Sequence, residues 1–186
     1  MRSRIRLFSV VAIFLALLAT MLLAGTANAA TSADFGAQAK AAGLTTAQAA
    51  GLQAEVDKYL AKTQGTQIAP NKIDLGGAIL TVPVPGEGKA RELTAAPGGP
   101  VILTACPFED FCAYQLPNFG GAQINMFTCG VYSIPWVGNG SWDNNQTPGT
   151  RARFLNAARQ VIFTTPGAHS IRLSYNWTPV FFVRNC

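Results

Sequence analysis

The sequence predicts a mainly β protein: a small all-β sandwich or Greek-key domain at the C-terminus, preceded by a small α-helical segment with a β-hairpin. Three observations carry this. After residue 100, short β-branched and aromatic runs recur at hairpin spacing between Gly, Pro and Asn clusters. Before residue 66 the chain is Ala- and Gln-rich with helical periodicity. Three of the four cysteines fall inside CPFEDFCAYQLPNFGGAQINMFTCG, residues 106–130.

The first 29 of the 186 residues read as a secretory signal peptide. MRSRIR supplies three arginines, LFSVVAIFLALLATMLLAG is continuously apolar, and TANAA places Ala27 and Ala29 at a small-residue cleavage site. The arginines of RSR are not adjacent, so a Sec-type rather than a twin-arginine signal is expected. No later segment is apolar enough to span a bilayer, so no membrane association is expected after cleavage, and the chain is expected to be secreted, extracellular and monomeric.

Charge is unevenly spread. Fourteen Lys and Arg oppose nine Asp and Glu, and Arg2, Arg4 and Arg6 leave with the signal, so eleven oppose nine, net +2. Residues 30–110 carry six bases and eight acids, net −2; residues 111–186 carry five arginines and one acid, net +4. The asymmetry suggests two units. No basic run matches a phosphate backbone, which argues against nucleic acid as a partner.

Two helices are expected first. SADFGAQAKAAG presents Phe35 and Ala39 on one face and ends at Gly43. GLTTAQAAGLQAEVDKYLAKTQG pairs Thr45 with Gln48 as a capping box, spaces Leu52, Val56, Tyr59 and Leu60 along one face, and ends at Gly65. A turn at Pro70-Asn71 and a short strand over 79–84, limited by Pro83 to an edge or an end, complete a segment covering 30–90. GEGKARELTAAPGGP contains the best linker, 91–99. The C-terminal domain then runs over 100–186, with strands expected at VILTA, FCAYQ, AQINMF, VYSIP, RARFL, QVIFT, SIRLS and VFFVR. In SIRLS, period-two alternation places Ile171 and Leu173 inward and Arg172 outward.

An even number of cysteines in an exported chain reads first as disulfides, in one of three connectivities. A zinc site is poorly supported, because one cysteine pair is spaced by five residues, the others are distant and His169 is the lone histidine. A thiol nucleophile lacks a spare cysteine and an oriented base. Glu109, Asp110 and Asp143 are the carboxylates near the C-terminal domain, and nothing arranges them as an acid–base pair. No enzyme activity is expected.

Tyr114-x4-Phe119-x-Gly121 matches the aromatic-x4-aromatic-x-Gly signature of the βγ-crystallin Greek key, in which packed rings and a Gly of special backbone conformation form a folded hairpin. Together with Cys106-Pro-x4-Cys112-x-Tyr before it and Cys129 after it, the stretch resembles the secreted bacterial metalloproteinase-inhibitor family of βγ-crystallin-like domains. GNGSWDNNQTPGTRARFLN resembles the segment between two Greek keys, and the similarity covers residues 104–186. The resemblance implies a βγ-crystallin-like Greek-key sandwich. It also implies a Cys106–Cys112 bridge across a tight local loop, leaving Cys129 to Cys186. The second close cysteine pair of characterised inhibitors is absent, and a second aromatic signature is not clean, so no inhibitory residue is carried over.

The resemblance makes Asp143-Asn144-Asn145-Gln146-Thr147 a candidate for weak Ca²⁺ binding, with Asp143, Asn144 and Thr147 as ligands; Pro148 stands where the motif wants Ser. The alternative for this stretch is an Asx-rich turn. No other cofactor is expected. Candidate partner-binding residues are Glu109, Asp110, Trp136 and Trp142, and the candidate presenting segments are 107–111 and 137–150. The leading expectation is a secreted inhibitor of an extracellular proteinase, acting through disulfide-pinned loops. The alternative is a cell-envelope-associated structural module that binds cell-wall polysaccharide or Ca²⁺ and inhibits nothing. Residues 30–95 could also be a pro-segment.

Overall fold

The computed structural model describes residues 27–93 and 105–186, with side chains from Asp34 onward. The expected signal peptide up to residue 26, linker residues 94–99 and most of the expected strand VILTA lie outside the described residues. Among the described residues no helix is long and apolar enough to cross a membrane.

Two helices and two antiparallel sheets make up the described chain. Helix α1 spans Ala27–Ala41 and helix α2 spans Thr46–Leu60. The capping box is formed as the sequence predicts: the Gln48 N–H donates to Thr45 Oγ1 at 3.2 Å, and the Thr45 N–H donates to Gln48 Oε1 at 3.0 Å. These bonds satisfy two of the helix's orphan donors. Leu52, Val56 and Tyr59 are buried together, as their spacing requires, and Leu60 packs beside them.

The larger sheet has seven strands: β1 (Thr66–Ala69), β2 (Lys72–Asp74), β3 (Ala78–Thr81), β4 (Phe111–Leu116), β5 (Gly120–Met126), β7 (Asn139–Asn144) and β10 (Ser170–Asn176), in the spatial order β1-β2-β3-β5-β4-β7-β10. The smaller has four: β6 (Val131–Ser133), β8 (Arg153–Leu155), β9 (Val161–Thr164) and β11 (Phe182–Arg184), in the order β6-β11-β8-β9. Pro70 and Asn71 turn β1 into β2, and β3 ends before Pro83.

One feature of this order reorganises the expected division of the chain. β3 pairs with β5 through Ala78↔Met126, Leu80↔Ile124 and their neighbours. Residues Gly36–Cys186 are accordingly one compact unit. The short helical segment cannot bury enough surface alone. It uses the same core as the C-terminal strands: Leu52, Val56 and Ile73 belong to one cluster with Leu80, Ile124, Met126 and Trp136.

Phe154 on β8 sits where the two sheets meet. Its ring lies 5.9 Å from Phe111 on β4, 5.1 Å from Tyr175 on β10 and 5.1 Å from Trp177. Each fully buried large apolar side chain contributes about 1.5–3 kcal/mol of transfer free energy. Trp142 and Trp136 belong to this core, being 0% and 6% exposed. They are therefore corrected from partner contacts to core residues.

Strand β7 was not expected, because NGSWDN is mostly polar and contains a Gly. Its place between β4 and β10 explains the composition. A Cβ on Gly140 would collide with the Trp177 indole nitrogen and the Tyr114 carbonyl, which are themselves hydrogen-bonded at 2.9 Å. Strand β10 corrects a second expectation. Ile171 and Leu173 are exposed by 54% and 47%. Pairing sets Ile171 beside Asp143 and Arg172 beside Trp142, and residues directly opposite share a face. Arg172 is exposed as expected, but so are its neighbours: from Ile171 to Ser174 β10 shows no alternation of burial, and its pairing with β7 is irregular between Arg172 and Tyr175.

Candidate functional site

The cystine loop preceding β4 and the segment following β7 form one surface. Cys106 and Cys112 are bonded, with Cα atoms 5.7 Å apart, and Cys129 is bonded to Cys186, with Cα atoms 5.4 Å apart. Both pairings are those the resemblance implies. The first closes a loop of five residues; the second ties the chain's last residue to the turn before β6.

Cys106, Cys112 and Tyr114 form a small apolar cluster of their own, with Phe119 against it. The Tyr114 and Phe119 rings are 5.0 Å apart, and burial pushes the Tyr114 hydroxyl well above the usual phenol range, with Asp143 adding to the rise. Gly121 has φ +71°, and a Cβ there would press on Gln115, so the hairpin between β4 and β5 requires Gly. Ser141 on β7 pins that hairpin: its Oγ accepts from the Phe119 N–H at 2.9 Å and donates to the Leu116 carbonyl at 2.8 Å.

Asn145 fastens the cystine loop from the other side. Its backbone carbonyl accepts from the Glu109 N–H at 2.9 Å, its N–H donates to the Asp110 carbonyl at 3.1 Å, and its Nδ2 donates to the Cys106 carbonyl at 2.9 Å. Nδ2 being the donor, Oδ1 is free to accept from His169 Nδ1 at 2.6 Å. The His169 ring also stacks with Phe108 at 6.1 Å. Glu109 is held at φ +75°, a conformation uncommon outside Gly and maintained here by these surrounding bonds.

The loop thus presents a defined tip. Phe108 is 62% exposed and Glu109 is exposed beside it, while Asp110 is 8% exposed and turned inward. Of the two acidic candidates, Glu109 lies on the accessible surface and Asp110 does not. Burial raises the Asp110 pKa, an Asn125 hydrogen bond opposes the rise, and Glu109 adds to it. The Asp143 pKa is also raised by burial, with nearby His169 working against the shift.

The proposed calcium ligands are not brought together. Asp143 and Asn144 are consecutive in β7 and point to opposite faces. Asn144 is fully buried, its Nδ2 directed at the carbonyls of Thr150, at 2.9 Å, and Pro166, at 3.2 Å. Thr147 Oγ1 is 3.0 Å from Thr150 Oγ1 in a turn. Among the described residues no group of three or more His, Cys, Asp or Glu side chains could hold a metal ion.

Sequence reasoning picked out both presenting segments but missed that Asn145 and His169 join them. Asn145 lay inside a recognised Asx-rich stretch; His169 is 24 positions further on, and nothing in the sequence signals that contact. Comparison with family models, with curated proteins and with solved structures finds no match for this chain.

Proposed function

We propose that the chain is an exported binding protein that offers the tip of its cystine loop to the active-site cleft of an extracellular proteinase. The observation that carries this reading is the exposure of Phe108 and Glu109 on a loop fixed by the Cys106–Cys112 bridge and by the three bonds to Asn145. A loop so held loses little conformational entropy on docking, and a protruding aromatic ring is the kind of anchor that concentrates binding energy. The two disulfides fit an oxidising compartment. A βγ-crystallin-like Greek-key arrangement is part of the same proposal, supported by the Tyr114–Phe119 ring pair and the positive φ of Gly121.

The test is inhibition of a panel of secreted metallo- and serine proteinases by the disulfide-intact chain. Saturable inhibition that falls at least tenfold in Phe108→Ala, with unchanged thermal stability, is the expected result. Absence of inhibition by well-folded protein across the panel removes the proteinase reading.

A further inference from the structure

The outer face of the four-stranded sheet carries a second, differently built surface. Beside β6 lies a cleft of about 450 Å³, lined by Lys62, Gln64, Val131, Ser133, Arg159 and Phe182 among others, with no carboxylate in its lining. That volume falls in the range of small-ligand sites. The Arg159 guanidinium lies 4.4 Å from the centre of the Phe182 ring, a cation–π contact that holds the charge at the rim. Lys62, from the other wall, reaches the Pro135 carbonyl at 3.4 Å.

Positive charge continues out of the cleft along one row of the sheet. Val131 on β6 is paired with Arg184 on β11, and Arg184 is paired in turn with Arg153 on β8. Their strand neighbours Tyr132, Val183 and Phe154 are buried in the core, so Arg184 and Arg153 stand side by side on the opposite, solvent face. Directly opposed like charges destabilise an antiparallel pair. Among the described residues neither arginine has an acidic partner. A row of this kind is costly to the isolated fold and is relieved by an anion.

We propose that this face binds an acidic polysaccharide, with two or more carboxylates bridging Lys62 and Arg159 in the cleft to Arg184 and Arg153 outside it. Paired strands about 4.8 Å apart set Arg184 and Arg153 as close neighbours, so that one carboxylate or two adjacent ones can bridge them. Gln64 and Ser133 supply neutral hydrogen-bonding groups suited to hydroxyls. Nucleic acid fits less well: base stacking needs a free aromatic face, and here Phe182 is covered by Arg159 while Tyr132 is buried. This site is separate from the cystine loop and stands whether or not the chain inhibits a proteinase.

The test is titration calorimetry of the full disulfide-intact chain at low salt with a galacturonic acid oligomer, a neutral dextran oligomer and a single-stranded oligodeoxynucleotide. The uronate oligomer should bind and weaken with added salt, dextran should not bind, and the oligonucleotide should bind at least tenfold more weakly. Arg153→Gln/Arg184→Gln should lose at least tenfold in uronate affinity, and Arg153→Lys/Arg184→Lys should retain most of it. Amide hydrogen exchange on the unaltered chain should show uronate protection in β6, β8 and β11, so the proposal does not depend on how any variant folds. No uronate binding, oligonucleotide binding of equal strength, or protection confined to other strands would each overturn it.

Discussion

Residues 36–93 and 105–186 handle charge in opposite ways. In the first stretch, Lys58 meets Glu55 at 2.6 Å, Lys72 meets Glu92 at 2.7 Å and Arg91 meets Glu87 at 2.9 Å. In the second, none of the five arginines forms an ion pair among the described residues, and all five are exposed. The second stretch also holds both disulfides and the exposed Phe108, Val161, Ile162, Ile171 and Leu173. The first stretch pairs three of its six cations with acids; the second is cross-linked covalently and leaves its arginines and several apolar groups facing outward. Exposed ion pairs contribute little to stability, so the contrast bears on contacts with partners more than on folding.

If covalent bonds stand in for internal pairing in the second stretch, removing them should cost most. In the chain-entropy picture, Cys129→Ala/Cys186→Ala should lose about 4 kcal/mol, because the bridge closes the longer loop. Cys106→Ala/Cys112→Ala should lose about 2–3 kcal/mol. Denaturant unfolding of both variants measures the difference; equal losses would mean that loop length does not govern the effect here.

The next prediction tests whether the two stretches are energetically separate. Leu80 is fully buried on β3 and paired with Ile124 on β5, so Leu80→Ala should cost about 2–5 kcal/mol. Unfolding should remain a single transition followed identically by fluorescence and circular dichroism, because the altered site belongs to a core shared by both stretches. Two separated transitions would make the stretches independent after all.

What was legible in the sequence follows the range of the interactions involved. The capping box, the face of α2 and the turn at Pro70-Asn71 are set by residues within a few positions of each other, and they were read from those residues alone. The disulfide pairing came from the resemblance, since four cysteines permit three connectivities. Long-range pairing was not legible. Nothing in LGGAILT announces that β3 joins β5 across some forty residues, and the polar β7 has no strand pattern that outweighs its glycine. The exposure of Ile171 and Leu173 has the same origin, because alternation gives a strand two faces and only the packing around it decides whether either is covered. The candidate site was half legible: its two segments were, and the Asn145–His169 clasp was not.

Smaller effects sharpen the contrast at its local end. Thr45→Ala removes the side chain that accepts from the Gln48 N–H and should cost about 1 kcal/mol. Thr45→Ser keeps the acceptor and should restore most of the loss. Thermal unfolding of the pair measures this, and equal destabilisation by both substitutions would remove the cap as its cause.

The smallest predicted effect lies in the cystine loop and concerns pH. Burial raises the pKa of Asp110 in the folded chain above its unfolded value. The folded state therefore holds the proton more tightly than the unfolded state, so the group favours folding when protonated. That contribution is fully present below the ordinary carboxylate pKa and is lost as pH rises through the raised folded value. Asp143 is shifted in the same direction and acts over the same acidic window. Asp110→Asn fixes the side chain in a neutral form, so it should flatten the stability profile across that window while leaving the Asp143 contribution in place. Midpoints of denaturant unfolding, measured from acid to neutral pH for both proteins, give the comparison. A variant whose profile stays as steep as that of the unaltered chain would show that Asp110 ionises as readily folded as unfolded, and that the acid beside the exposed Glu109 is not desolvated by the loop around it.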